Sequence, residues 1–545
     1  MNASQAIAQI LKAEGVEWLS AFPAQPLIDQ AAHAGIRPVI CRQERTGVNM
    51  ADGFSRTTNG RPFGIFTMQV GPGAENAFGG AAQAYADSIP LLLLPGGAPA
   101  DRTQVPPNFD AVANYREITK WAANINQVER IPELMRRAFS QLAHGRPGPV
   151  LLEIPSDLAA AEYPETLEYH PVKPFKSAAD PDDIRNLVSA LLKASCPLIN
   201  AGHGALWAGA SDQLVALAEL LHLPVMTTLA GKSAFPENHP LALGTGGYTG
   251  TLMVDRFLHQ TDFVLGIGTS FTRTVFNAPM PTGAVLAQVT NHAEDLNKDY
   301  QIDLGAIGDA RIALEQIIEE ARRQTSADGR PDQRGVRGEI AGIRAEFDAE
   351  WAPCFRSDEI PINPYRVFAE IARAVDVAQT IITHDSGYPR DQLVPFWQPR
   401  QPRGYIGWGK STQLGYGLGL ALGAKLAAPD KQVINIMGDA AFGMAGLDIE
   451  TAVRAEIPIL TVVLNNGVMT HYDQHMPYAS EHWQSNCLGG HYAQVGEALG
   501  AHAERVETPE ALAPAIERAL SANREGRTAL LEVMTKAEEN VAKFW

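Results

Sequence analysis

Residues 433–466 read VINIMGDAAFGMAGLDIETAVRAEIPILTVVLNN and hold the densest set of residue types suited to chemistry in this chain. An apolar run ends in Gly438-Asp439, a helical pattern follows over about Gly446–Glu456, and a second apolar run ends in Asn465-Asn466. A right-handed strand–helix–strand crossover brings both strand ends to one edge of a parallel sheet. Asp439 and Asn466, 27 residues apart, are therefore expected to be neighbours at the carboxyl ends, where such sheets bind ligands. The Asp439 carboxylate, the Asn466 amide oxygen and the nearby Val468 carbonyl are hard oxygen donors, a set that suits Mg²⁺ completed by water and a ligand phosphate. Ala440 and Ala441 are small enough to let phosphate approach backbone N–H groups at a helix start. By itself, the same pattern also describes an aspartate capping a helix and two asparagines in a turn.

A second segment competes. Gly404–Ser411, GYIGWGKS, matches the phosphate-loop pattern G-x4-G-K-S, and VINIMGD resembles the strand and aspartate that hold Mg²⁺ in P-loop nucleotidases. A phosphate loop needs a buried strand immediately before it, whereas Trp397–Arg403 is WQPRQPR, and prolines do not sit in a central strand. Trp408 is also bulky for a loop that must wrap phosphate closely. The nucleotidase reading is therefore the remote alternative.

Positioning either motif takes parallel α/β structure, and short apolar runs alternate with helical patterns along the whole chain. Strands are expected at Pro38–Ile40, Phe63–Thr67, Leu91–Leu94 and Val150–Ile154, then at Pro197–Ala201, Pro224–Thr227 and Phe263–Gly266, and finally at Thr380–Thr383, Val433–Met437 and Ile459–Leu464. Helices are expected at the amino end, around Ile312–Arg323 and near Ala511–Ala522. The proline- and charge-rich stretch His170–Asp183 and the unpatterned stretch Thr325–Val336 read as linkers. The fold expected is α/β, with three doubly wound parallel-sheet domains at residues 1–168, 184–324 and 360–545.

The balance of 44 Lys and Arg against 61 Asp and Glu gives a net charge of −17, which repels nucleic-acid backbones. The four cysteines lie far apart, with no CxxC pair and no zinc spacing, as expected of packing residues in a reducing compartment. The amino-terminal segment lacks the basic head and apolar run of a signal peptide, and the apolar stretches are strand-length. A cytoplasmic location without membrane or nucleic-acid partners is expected.

Gly438-Asp439, a spacing in the high twenties and a double Asn resemble the thiamine diphosphate fingerprint, with Ala440 where Gly is usual. The segments ICRQERTGVNMADGFSR, VGPGAENAFGGAAQAYADSIPLLLLPG and KSTQLGYGLGLALGAKLAAPD extend the resemblance over nearly the whole chain. They are similar to the glutamate-bearing, Gly-Pro-Gly and pyrimidine-holding segments of the acetohydroxyacid (acetolactate) synthase and 2-oxo acid decarboxylase superfamily.

The resemblance implies pyrimidine-binding, central and diphosphate-binding domains, in that order, with thiamine diphosphate and Mg²⁺ as cofactors. It implies that Glu44 is the carboxyl that activates the cofactor through its pyrimidine ring, and that Leu414 wedges under the cofactor while its amide and the Thr412 carbonyl hold the pyrimidine edge. Gly71 of the Gly-Pro-Gly segment, Gly387-Tyr388 after the strand at 380–383, and Gly438, Asp439, Ala440, Ala441, Asn466, Val468 and Met469 are the remaining implied cofactor contacts. Acetohydroxyacid synthases usually have Gly-Gln-His where this chain has Gly387-Tyr388-Pro389. Gln69 is implied to face the reacting carbon, and His471 to lie in the segment that lines the substrate pocket in relatives; both are catalytic candidates. The implied reaction is acetolactate synthase-like: decarboxylation of a 2-oxo acid followed by carboligation. The alternative is simple decarboxylation, or C–C cleavage of another ketone or acyl-CoA. Phe271–Pro281 carries no clear flavin signature, so FAD stays open and unassigned. The implied assembly is a homodimer or tetramer with sites at the subunit interface.

Overall fold

The structure is a computed structural model describing residues 1–545 other than 24, 165, 327, 328, 330 and 333. The expected linker at 325–336 therefore falls partly outside the described residues. Among the described residues, eighteen strands form three six-stranded sheets in which every paired strand is parallel. The first sheet holds β1 (Trp18–Ala21), β2 (Arg37–Ile40), β3 (Gly64–Met68), β4 (Leu91–Gly97), β5 (Trp121–Asn124) and β6 (Val150–Pro155), in the order β2-β1-β3-β4-β6-β5. The second holds β7 (Pro197–Ala201), β8 (Val225–Thr228), β9 (Ala242–Gly246), β10 (Phe263–Ile267), β11 (Val285–Thr290) and β12 (Leu304–Ile307), in the order β12-β11-β10-β7-β8-β9. The third holds β13 (Thr380–His384), β14 (Tyr405–Ile406), β15 (Gln432–Gly438), β16 (Leu460–Asn465), β17 (His502–Val506) and β18 (Ala529–Met534), in the order β14-β13-β15-β16-β18-β17.

The inner strands β3, β7, β10 and β16 are buried at every position, which is why they read as continuous apolar runs: helices cover both sheet faces. Edge strands such as β5 are only partly buried and carry mixed sequences. Among the described residues no helix is long and apolar enough to cross a membrane.

The first and third sheets share one strand order, so their elements correspond. The helix Glu44–Thr58 after β2 corresponds to the helix Tyr416–Ala427 after β14, and these two helices pack against each other. Glycines on both sides make the approach possible. A Cβ on Gly423 would lie 1.9 Å from the Met50 carbonyl oxygen, and one on Gly53 would lie 2.2 Å from that of Leu420. A buried ion cluster sits beside the pair: Arg56 donates from Nε to Asp52 (2.6 Å), from Nη2 to Asp87 (2.9 Å) and from Nη1 to the Gly407 carbonyl (2.6 Å), while the Tyr416 hydroxyl donates to Asp52 (3.3 Å) from one helix to the other.

One local expectation is corrected. The helix expected over Gly446–Glu456 is two pieces, a 3₁₀ turn Gly446–Asp448 and a helix Ile449–Arg454, preceded by a separate helix Asp439–Ala445 that starts at the strand end. Gly443 and Gly446 weaken a continuous helix, and Asp448 spends its carboxylate on the Arg42 N–H (2.7 Å) and the Thr451 hydroxyl (2.9 Å).

Candidate active site

The third sheet reverses direction between β13 and β15: the chain leaves β13 towards β14 on one side and β15 towards β16 on the other. Loops leaving two such strands diverge and open a crevice at their carboxyl ends. A cavity of about 330 Å³ lies there.

One wall is the turn after β13. Asp385 is fully buried, and its carboxylate accepts N–H bonds from Ser386 (2.8 Å), Gly415 (3.0 Å) and Gly417 (2.9 Å), fastening this turn to the start of the helix Tyr416–Ala427. Burial pushes its carboxyl up to about 6, against the pull of those three donors. Gly387 follows at φ +80°, a backbone conformation that favours glycine, with open space where a Cβ would be.

The opposite wall is built from the ends of β15 and β16. Asp439 is buried and accepts from the Ala440 N–H (2.8 Å) and the Gly467 N–H (2.9 Å), so one carboxylate ties the two strand ends together. Burial pushes this carboxyl up, opposed mainly by the Ala440 and Gly467 amides. The two asparagines divide their duties. Asn465 is buried and donates to Glu532 (2.7 Å), while Asn466 lines the cavity, accepts from the Val468 N–H (3.1 Å) and donates to the Thr470 hydroxyl (3.0 Å).

Among the described residues no cluster of three or more His, Cys, Asp or Glu side chains could hold a metal. An ion here would have to use a single carboxylate with amide, carbonyl and ligand oxygens, the donor set of Asp439, Asn466 and Val468, and such oxygens suit Mg²⁺. The cavity also joins an apolar wall of Leu414, Leu464 and Phe276 to an end opened by Gly438, Ala440 and Ala441, where a Cβ on Gly438 would meet only Pro389, at 3.6 Å. These residues fit a ligand with an aromatic ring at one end and a metal-bound diphosphate at the other.

Gly387, Tyr388, Thr412, Leu414, Gly438, Asp439, Ala440, Ala441, Asn466, Val468 and Met469 all line this cavity. Glu44, Gln69 and Gly71 do not. Glu44 is buried at the start of the helix Glu44–Thr58, and Gln69 and Gly71 lie in the turn after β3, the matching switch point of the first sheet. His471 is also off the lining, although its neighbours Thr470 and Tyr472 are on it. Its ring lies 5.3 Å from that of Tyr388.

Sequence reasoning missed Phe276, Arg390, Gln392, Lys536 and Glu538, which also line the cavity. Lys536 and Glu538 follow β18, so the end of that unrecognised strand was the signal that could have found them. Phe276 comes from the central sheet's loops and leaves no local signal.

The segment GYIGWGKS is not a phosphate loop. The N–H groups of Gly409 and Lys410, which a phosphate would need, donate to the buried Asp87 carboxylate at 3.1 and 3.0 Å, and Trp408 is fully buried.

Three family models match the chain. The thiamine pyrophosphate enzyme N-terminal TPP binding domain matches residues 1–123, the central domain matches 184–317, and the C-terminal TPP binding domain matches 385–533. A probable acetolactate synthase large subunit of Methanococcus aeolicus is 29% identical, over 96% of this chain and 90% of the relative. The acetolactate synthase isozyme 3 large subunit of Escherichia coli K12 is 29% identical, over 99% and 96%. A glyoxylate carboligase of Escherichia coli O157:H7 is 28% identical, over 99% and 94%.

Proposed function

The chain belongs to the thiamine pyrophosphate enzymes of the acetolactate synthase type, and from that premise we propose that it decarboxylates a 2-oxo acid and joins the remaining fragment to a second carbonyl. The observation that carries this reading is the meeting of Asp439 and Asn466, through Gly467, in one cavity with Leu414. Bound thiamine diphosphate supplies an electron sink at a carbonyl carbon, which lets the bond to a neighbouring carboxylate break.

The chain's own residues do the rest. Asp439, Asn466 and the Val468 carbonyl would hold Mg²⁺ and, through it, the diphosphate, with Gly387, Tyr388, Gly438, Ala440, Ala441 and Met469 around it. Leu414 and Thr412 would set the position of the aromatic ring. Glu44 would hold a proton at its carboxyl against that ring, and Gln69, Gly71 and His471 would complete the reacting end. Because Glu44, Gln69 and Gly71 lie away from this chain's own cavity, they serve the cavity of a second copy, and the working unit is at least a homodimer.

Exposed apolar residues support that pairing. Val70, Phe78 and Tyr85 stand in or beside the helix Pro72–Asp87 after β3, while Met444 and Leu447 follow β15 at the matching place in the third sheet. Both corresponding faces are apolar and open.

The test is a panel of 2-oxo acids, led by pyruvate and glyoxylate, with thiamine diphosphate and Mg²⁺. Carbon dioxide and the organic product are followed together. Carbon dioxide with acetolactate from pyruvate is expected; aldehyde alone would make the enzyme a decarboxylase, and no turnover of any member would overturn the 2-oxo acid reading.

A further inference from the structure

Arg390 lines the cavity with its side chain only 5% exposed. Its Nε donates to Asp391 Oδ1 at 2.5 Å, and Nη2 pairs with the same carboxylate oxygen. The guanidinium lies over the rings of Trp408 (4.5 Å), Phe276 (4.9 Å) and Tyr248 (5.9 Å), so aromatic faces contributed by two sheets' loops clamp it at the seam between them. Nη1 is buried and has no hydrogen-bond partner. A buried charged donor without an acceptor is costly unless a ligand supplies the acceptor.

The other cation on the cavity wall is already neutralised by two carboxylates. Lys536 is already bound to Glu359 (2.9 Å) and Glu538 (2.8 Å). Arg390 is the cation on this wall with a buried, unpartnered donor, and a single carboxylate beside it.

We propose that Nη1 of Arg390 is the docking point for the carboxylate of the 2-oxo acid, which makes Arg390 a specificity-determining residue of the reaction. The inference rests on the function proposed above. A planar guanidinium edge matches a carboxylate, whereas a diphosphate is better served by the metal oxygens and backbone on the opposite wall. Asp391 already offsets much of the guanidinium charge. The contact therefore orients the carboxylate without gripping it so tightly that its departure as carbon dioxide is opposed.

The test uses the full chain with thiamine diphosphate and Mg²⁺. In Arg390→Gln, KM for pyruvate is expected to rise about 10- to 100-fold, the span of one lost hydrogen bond to a charged group. The thiamine diphosphate concentration giving half-maximal quenching of tryptophan fluorescence is expected to stay unchanged. Lactate and its uncharged amide, as competitors of pyruvate, add a second readout. The wild type should prefer lactate by about tenfold or more, Arg390→Gln should lose the preference, and Arg390→Lys, which keeps the charge beside Asp391, should retain part of it.

An unchanged KM and an unchanged preference in Arg390→Gln overturn the inference. So does weakened cofactor binding with an unchanged KM for pyruvate, which would assign Nη1 to the diphosphate. Should Arg390→Gln not fold, equal inhibition of the wild type by lactate and its amide overturns it, and a preference reduced in Arg390→Lys supports it. A wild type that binds cofactor but turns over no 2-oxo acid refutes the proposed function instead, and calorimetric binding of lactate and its amide to wild type and variant then decides the role of Arg390 separately.

Discussion

Gly423→Ala tests the contact on which the cavity's geometry depends. The added Cβ would lie 1.9 Å from the Met50 carbonyl oxygen and 2.7 Å from the Phe54 nitrogen, both backbone atoms that no rotamer change can move. Ordinary packing would require the helices Glu44–Thr58 and Tyr416–Ala427 to separate by roughly 1.5 Å, the shortfall from a relaxed contact in a close-packed interior. Overpacking of this kind costs about 1–3 kcal/mol, and the better helix propensity of alanine returns about 1 kcal/mol. The net expectation is a loss of up to about 2 kcal/mol, read as a thermal midpoint lower by several degrees. The helix begins just after Leu414 and Gly415, so the same displacement moves a cavity wall, and a shift of about 1 Å in a positioning element can lower turnover on the order of 100-fold. Differential scanning calorimetry and pyruvate turnover read the two effects. Gly342→Ala is the control: it also lies in a helix, but its Cβ would meet nothing within 4 Å, so the variant should be equally or more stable than wild type, by up to about 1 kcal/mol. A Gly423→Ala protein with wild-type midpoint and turnover, or a Gly342→Ala protein as damaged as Gly423→Ala, would refute the packing argument.

Asp439→Ala should weaken Mg²⁺-dependent thiamine diphosphate binding by at least about tenfold, whereas Glu44→Ala should abolish turnover with binding largely kept; titration of tryptophan fluorescence separates the two, and the reverse pattern would exchange the roles. Asp87→Ala should cost about 3–5 kcal/mol, because it strips Arg56 of one carboxylate and leaves the Gly409 and Lys410 amides without an acceptor; a urea midpoint near wild type would contradict this. His384 is buried and held down to about 3, mainly by burial. The unfolded chain therefore takes up a proton from about pH 6.5 downward while the folded chain does not, so the stability due to neutral His384 is present above that range and drains away as pH falls towards 3. Thermal midpoints from pH 7.5 to 4 should fall less steeply in His384→Asn, and parallel profiles would sink the assignment.

The parts of the fold legible in sequence are those where a single physical cause writes the pattern. β7, β10 and β16 are buried on both faces, so they are apolar throughout and stand out. β5 and β17, at sheet edges, are only partly buried along nearly their whole length, and β14 has two residues; none shows a run or a clean alternation. The Asp439 and Asn466 wall is legible because one local crossover builds it. Phe276, Arg390 and Lys536 arrive from three distant segments, and only tertiary packing makes them neighbours. The broken helix after Asp439 was hidden because its interruption depends on Asp448 bonding to Arg42, far away in the first sheet's unit.

The glycine-lined helix pair also has a consequence for the order of assembly. Asp52 and Tyr416, which meet across it, are 364 positions apart in the chain. Contacts so distant form slowly, since a long loop must close before they repay its entropy, and each helix must first be held on its own sheet. The three sheets are thus expected to mature before the outer two are joined. The cavity would acquire its Leu414 wall in that last step, so that an incompletely matured chain holds native strands but no competent binding site.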